Sequence, residues 1–267
     1  MATNKFKSSD FLFEVFALVI IITIVQGIYA TVIRSTAAAI RAQDLAAMAS
    51  DPNYVPELHA WVVIKDYEPE VCFIFATWAL TIMGRRALRV GRQRKLLDTD
   101  ILQLREGMKI LPEDSREYAR QIESLSPETR SFLLPRALLT ALHRFGATRN
   151  IQDVATAARS VCQHENDRLD SELSMVRFVA WAIPAIGFVG TVRGIGESLQ
   201  QAHKAVEGDV SGVVSGLGTA FNATLVALSL SILVMLVLHQ LQLRQERMVL
   251  DTEDYLDTHV VRHMLAR

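Results

Sequence analysis

The chain has 267 residues, half of them hydrophobic, with a net charge of −1 and a mean hydropathy of +0.21. The balanced charge excludes binding to nucleic acid through a global basic field, and the hydropathy points away from an ordinary soluble domain. Cys72 and Cys162 stand far apart, one in an apolar run and one in a charged segment, which excludes a disulfide framework and a cysteine metal site.

The first apolar block runs from Phe11 to Ile33, about 23 residues, enough to cross roughly 30 Å of hydrocarbon as a helix. Glu14, near one end, reads as an interfacial residue, and Gln26 is the other strongly polar group. The block after Lys5 and Lys7 is too long for the core of a cleavable signal and reads as a retained anchor. Residues 34–60 are mixed, with breakers at Asp51-Pro52 and Val55-Pro56, and are expected to form an external loop with room for one short interfacial helix. Pro69 to Leu88 is expected to be the second span, its end snorkelling through Arg85 and Arg86. Arg85, Arg86, Arg89, Arg92, Arg94 and Lys95 follow at once, and such a cluster marks the cytoplasmic side. This predicts an internal N-terminus, an external 34–68 and an internal 84–175.

The internal segment reads as helical. Pro112 opens an element before Glu113 and Asp114. Ser126-Pro127-Glu128 supplies an N-cap, a first-turn proline and an acid. Pro135 is expected to interrupt the next stretch, and Gly146 to end it. Asn150 then starts a run with apolar residues at Ile151, Val154, Ala158, Val161, Leu169, Leu173 and Val176, which predicts one continuous helix over 150–200, about 75 Å long. Its upper part, Met175 to Ile195, is the third span. A short external loop carries Glu197, Lys204, Glu207 and Asp209, and Val213 to Leu238 is the fourth span. The expected fold is all-α: a polytopic membrane protein with about four transmembrane helices and a helical cytoplasmic domain. Its parts are 1–83 (two spans and an external loop), 84–174 (the cytoplasmic domain), 175–240 (a helix pair) and 241–267 (a cytoplasmic tail).

The helix pair carries the chemistry. Gly187, Gly190 and Gly194 share one face of the third span, while Gly212, Gly216, Ala220 and Ala223 share one on the fourth. Small residues at such spacing let helices approach closely in lipid. Thr191, Ser215, Thr219, Asn222 and Thr224 lie inside these apolar helices. They can hydrogen-bond water along an ion or proton path, or they can bond carbonyls and glue helices together. Pro184 removes one backbone bond, marking a hinge or shaping packing.

Pro184 to Gly196, with Gly190-Thr191-Val192-x-Gly194-Ile195, and Gly212 to Leu228, with Gly216-Leu217-Gly218-Thr219-Ala220, together resemble the MotA/TolQ/ExbB proton-channel family. The four-span layout is closest to its flagellar-stator-like branch. The resemblance implies a homopentamer around a one-span partner of the MotB/TolR/ExbD kind, whose aspartate picks up the ion. It implies that Thr191 and Thr219 are pore threonines and that Pro184 acts in gating. Asn222 and Thr224 join them as candidate ion-pathway residues, with Gly187, Gly190, Gly194, Gly212 and Gly216 as close-packing positions. The chain lacks the second proline of the stator branch, and Arg193 places a charge where it can tune ion entry or meet lipid headgroups.

The expected function is the channel-forming subunit of a proton-driven motor complex in a bacterial inner membrane, with both termini cytoplasmic and sodium as the alternative ion. The competing reading is a non-conducting scaffold that anchors a partner through its cytoplasmic helices. No cofactor, nucleic acid or enzyme activity is expected. His259 and His263 lack a third metal ligand and read as a solvated helix face, and the paired glycines lack the lysine of a nucleotide loop.

Overall fold

The computed structural model describes residues 2–51, 54–99, 101, 102 and 109–265, the first ten of them by backbone alone. The side chains of Lys5, Lys7 and Phe11, and Pro52, lie outside the described residues. The fold is all-α, and four of its helices are long and apolar enough to cross a membrane. The chain divides into two units, residues 1–83 with 175–238 and residues 84–174 with 239–267.

The first unit opens with α1, Ala2–Ile28, which passes through a π-helical turn, Tyr29–Ile33, into α2, Arg34–Ser50. Residues 34–50 are therefore helix, where the sequence suggested a loop. The run Thr36-Ala37-Ala38-Ala39 has high helix propensity, and no glycine or proline intervenes before Pro52. After the short helix α3, Ala60–Ile64, comes α4, Tyr67–Leu97, longer than the predicted second span. Its first turn holds Glu68 and Glu70 and its last turn Arg94 and Lys95, each sign stabilised by the helix dipole. Pro69 sits in that first turn, where a backbone donor would lack a partner anyway. The Trp78 indole donates to the Glu14 carbonyl at 2.9 Å, joining the first two spans.

The second unit continues with α5, Ser115–Glu123, α6, Pro127–Arg130, α7, Leu133–Thr148, and α8, Ile151–Glu172. Leu134, Ala137, Leu138, Ala141, Leu142 and Phe145 form the buried stripe of α7 at helical spacing, packed in one core with Ile122, Val154, Cys162 and Leu169. Ser126 caps α6 by accepting from the Thr129 N–H, and Asn150 caps α8 by accepting from the Gln152 N–H, as their sequence contexts predict. Pro135 does not interrupt α7. It occupies the third helical position, where the missing N–H has no intrahelical acceptor. Nor does Gly146 end the helix. A Cβ there would lie 2.6 Å from Ser115 Oγ, so the residue serves close packing, and the left-handed cap falls at Arg149, φ 53°. The predicted continuous helix over 150–200 is interrupted at Leu173, whose N–H turns back to Asp170 and Ser171 while its side chain is fully buried.

The basic run on α4 is partly consumed within the second unit. Arg86 pairs with Glu172, Arg92 with Glu128 and Arg94 with Asp251. The remaining helices are α9, Ser174–Gln200, α10, Ala202–Val206, and α11, Ser211–His259. The last runs well beyond the predicted fourth span. Its Met248, Val249 and Leu256, with Val260 and Met264, are buried in the core of the second unit, within the segment set apart by sequence as a tail. His259 is the last residue of α11 and His263 lies in a following 3-10 turn, so the two do not share a helix face.

Candidate functional site: a hydroxyl ladder between two helices

Helices α9 and α11 approach closely because their facing residues are small. A Cβ on Gly194 would lie 2.6 Å from both the Ala220 nitrogen and the Gly216 oxygen. Gly187 faces Ala227, Gly190 faces Ala223, and Gly216 faces Ser198 and the Gly194 carbonyl. Gly212, at the start of α11, packs against the Gln201 side chain. At this separation a serine or threonine on one helix reaches the backbone of the other.

Four hydroxyls do so. Ser198 Oγ lies 3.0 Å from the Val213 carbonyl oxygen, and Thr191 Oγ1 lies 3.3 Å from that of Ala220. From the other side, Thr224 Oγ1 lies 3.3 Å from the Gly187 carbonyl oxygen, and Ser231 Oγ lies 3.1 Å from that of Ala180. The positions keep one antiparallel register: each advance of seven, four and seven residues along α9 is matched by the same retreat along α11. In the middle rungs the two threonines meet, Thr191 Oγ1 against Thr224 Oγ1. Thr191 also reaches its own helix at the Gly187 carbonyl, 3.2 Å away.

Thr191 faces Thr224, whereas Thr219, five residues earlier on α11, is turned about 140° from it at 100° per residue. Asn222 is turned about 160° from Thr224 by the same count. Both are half-buried, on a different face of α11 from the ladder.

Pro184 cannot donate to the Ala180 carbonyl, its i−4 acceptor. The Ser231 hydroxyl takes that place, and both groups are buried. The neighbouring Ile183 carbonyl lies 3.7 Å from Cys72 Sγ on α4. Sequence reasoning missed Ser231. Its only signal is a hydroxyl seven residues after Thr224, and nothing in the sequence alone ties it to Pro184.

Arg193 also has a partner within the chain. It holds Glu68 of α4 by two bonds, 2.7 and 2.8 Å, and Glu197 at 2.9 Å. The Glu68 stem packs over Gly190, where a Cβ would lie 3.1 Å from Glu68 Cγ. The charge is thus neutralised locally, as a half-buried guanidinium requires. Glu70, two residues on, holds Arg34, whose guanidinium lies 4.5 Å from the centre of the Tyr67 ring. Both carboxylates stand at the start of a span, where sequence reading assigned them no role.

The stretches 174–196 and 211–238 contain no acidic residue. The central hydroxyls can pass a hydrogen bond between helices without carrying charge, and any titrating carboxylate would have to come from outside these two stretches. Residues 131–254 match the model of the MotA/TolQ/ExbB proton channel family, a stretch that takes in α7 to α10 and most of α11. No curated protein and no solved structure is matched. Over residues 131–254, then, the chain is similar to the MotA/TolQ/ExbB proton channel family.

Proposed function

We propose that this chain is the channel-forming subunit of a proton-driven motor complex in a bacterial inner membrane, coupling ion flow to mechanical work through a one-span partner. The family implies a proton channel-type role in motor-like complexes. The observation that carries the finer reading is the contact between the Thr191 and Thr224 hydroxyls in a helix pair whose stretches 174–196 and 211–238 have no carboxylate. A partner's aspartate would take the ion beside that pair. Five copies of this chain would surround the partner, as the four-span, stator-like layout implies, with sodium as the alternative ion. Thr219 and Asn222 enter this reading as lining residues on a second face of α11, and Pro184 as the gating position of α9. Each proton crossing 100 mV releases about 2.3 kcal/mol, so useful work needs repeated crossings coupled to a moving element.

Thr191→Val and Thr224→Val keep the volume and remove the hydroxyls. With the cognate one-span partner, each is expected to abolish partner-dependent proton flux while the chain still assembles in the membrane. Full flux in both variants would sink the channel reading and favour the scaffold, in which threonine changes are silent and changes on residues 84–174 are not.

A further inference from the structure

The ladder extends beyond the threonines, to Ser198 at one end and Ser231 at the other. We propose that Ser198 and Ser231 are positioning residues: two clasps that fix the register of α9 against α11, so that Thr191 and Thr224 meet. The consequence for ion flow rests on the reading above; the register itself does not.

The clasps are placed symmetrically. Ser198 lies seven residues after Thr191 on α9, and Ser231 lies seven after Thr224 on α11. Seven residues are about two helical turns, so each clasp keeps the same face as its threonine, about 10 Å away along the axis. Both serines are buried, and both bond to backbone of the opposite helix.

Packing alone leaves the register open. Gly187 and Gly194 repeat at seven residues, and the facing Gly216, Ala220, Ala223 and Ala227 repeat at three and four. A small-residue face of this kind meets itself nearly as well one turn away, and lipid supplies no hydrophobic force that prefers one alignment. Directional bonds do prefer one. Ser231 has a further reason to hold its place, because the Ala180 carbonyl it meets is the one freed by Pro184. A slip of one turn would leave that buried carbonyl without a donor.

The central rungs differ from the clasps. There two hydroxyl protons share the Gly187 carbonyl, the Ala220 carbonyl and each other's oxygen. The threonines can exchange partners within a fixed register, while Ser231 has the Ala180 carbonyl as its acceptor and Ser198 divides its bond between Gly194 and Val213. Fixed ends and an exchangeable middle are what a hydrogen-bond relay between two helices needs.

The test measures register directly. Spin labels at cysteines replacing Leu199 and Ile232, exposed by 70% and 68%, stand about 30 Å apart along the axis by helical rise. The native cysteines are buried and stay unlabelled. The full-length chain is reconstituted in vesicles with excess unlabelled chain, so that intrachain distances are read. The expected result is one narrow distance distribution in the parent. In Ser198→Ala with Ser231→Ala it should broaden or shift by up to about 5 Å, one turn. Each single variant, which keeps one clasp and protects folding, should broaden it less. Ser229→Ala is the matched control, because that exposed hydroxyl bonds back to Leu225 in its own helix, and it should leave the distribution narrow. An unchanged distribution in the single and double clasp variants overturns the proposal, as does equal broadening in Ser229→Ala. Broadening with undiminished partner-dependent flux would support the clasps and sink the ion path through the threonines.

Discussion

Single side chains in this protein are read most clearly through what they would otherwise leave unsatisfied. Arg149 ends α7 with φ 53°, a left-handed conformation in which a Cβ is strained. Arg149→Gly is expected to raise stability by about 1 kcal/mol, as a higher unfolding midpoint in detergent would show. Cys162 is buried in the second unit, and burial together with the nearby Glu253 and Glu165 charges pushes its thiol up to about 11. At pH 8 the thiolate is therefore scarce, and a maleimide should label Cys162 only after unfolding. Prompt labelling of the native chain would contradict the packing. Asp209 accepts from both the N–H and the hydroxyl of Ser211, bonds that hold its carboxyl below the usual range at the turn before α11.

At the scale of helices, the same residue type carries opposite costs on different faces. Gly194 lies against the backbone of α11, which cannot move aside, so Gly194→Ala should destabilise the pair by about 2 kcal/mol or more. A Cβ on Gly196, two residues on, would meet nothing within 4 Å among the described residues. Gly196→Ala should be neutral or stabilising by up to about 1 kcal/mol, through helix propensity alone. Thermal unfolding of the two variants side by side checks the difference, and equal midpoints would refute the close approach. The continuity of α1 into α2 and the length of α11 were only half legible. Propensity and the lack of breakers allow long helices, yet charged residues at 34–44 and 239–247 look like loop or tail in sequence, and for α11 it is the burial of Leu241, Met248 and Val249 that shows otherwise.

For the molecule as a whole, charge and hydropathy predict an orientation that labelling can check. The proposed topology places α10 outside and the end of α11 inside. A cysteine replacing Val206, 90% exposed, should react with an impermeant maleimide added to intact cells, while one replacing the exposed Leu250 should react only after permeabilisation. The reverse pattern would invert the topology. The native cysteines, both buried, give a silent background.

The sequence by itself determined that the chain is helical and membrane-spanning, that two of its spans pack through small faces, and which family it resembles. Each of these depends on local composition and periodicity. Only the tertiary structure decided which hydroxyls meet. Thr191 pairs with Thr224 and not Thr219, Ser231 replaces the bond lost at Pro184, and Arg193 is neutralised by Glu68. A helix sequence gives the angular position of every side chain, but not its partner, because the partner depends on the register between helices. Here that register is set by contacts between residues 15 to 51 positions apart, and for Arg193 and Glu68 by a pair 125 apart.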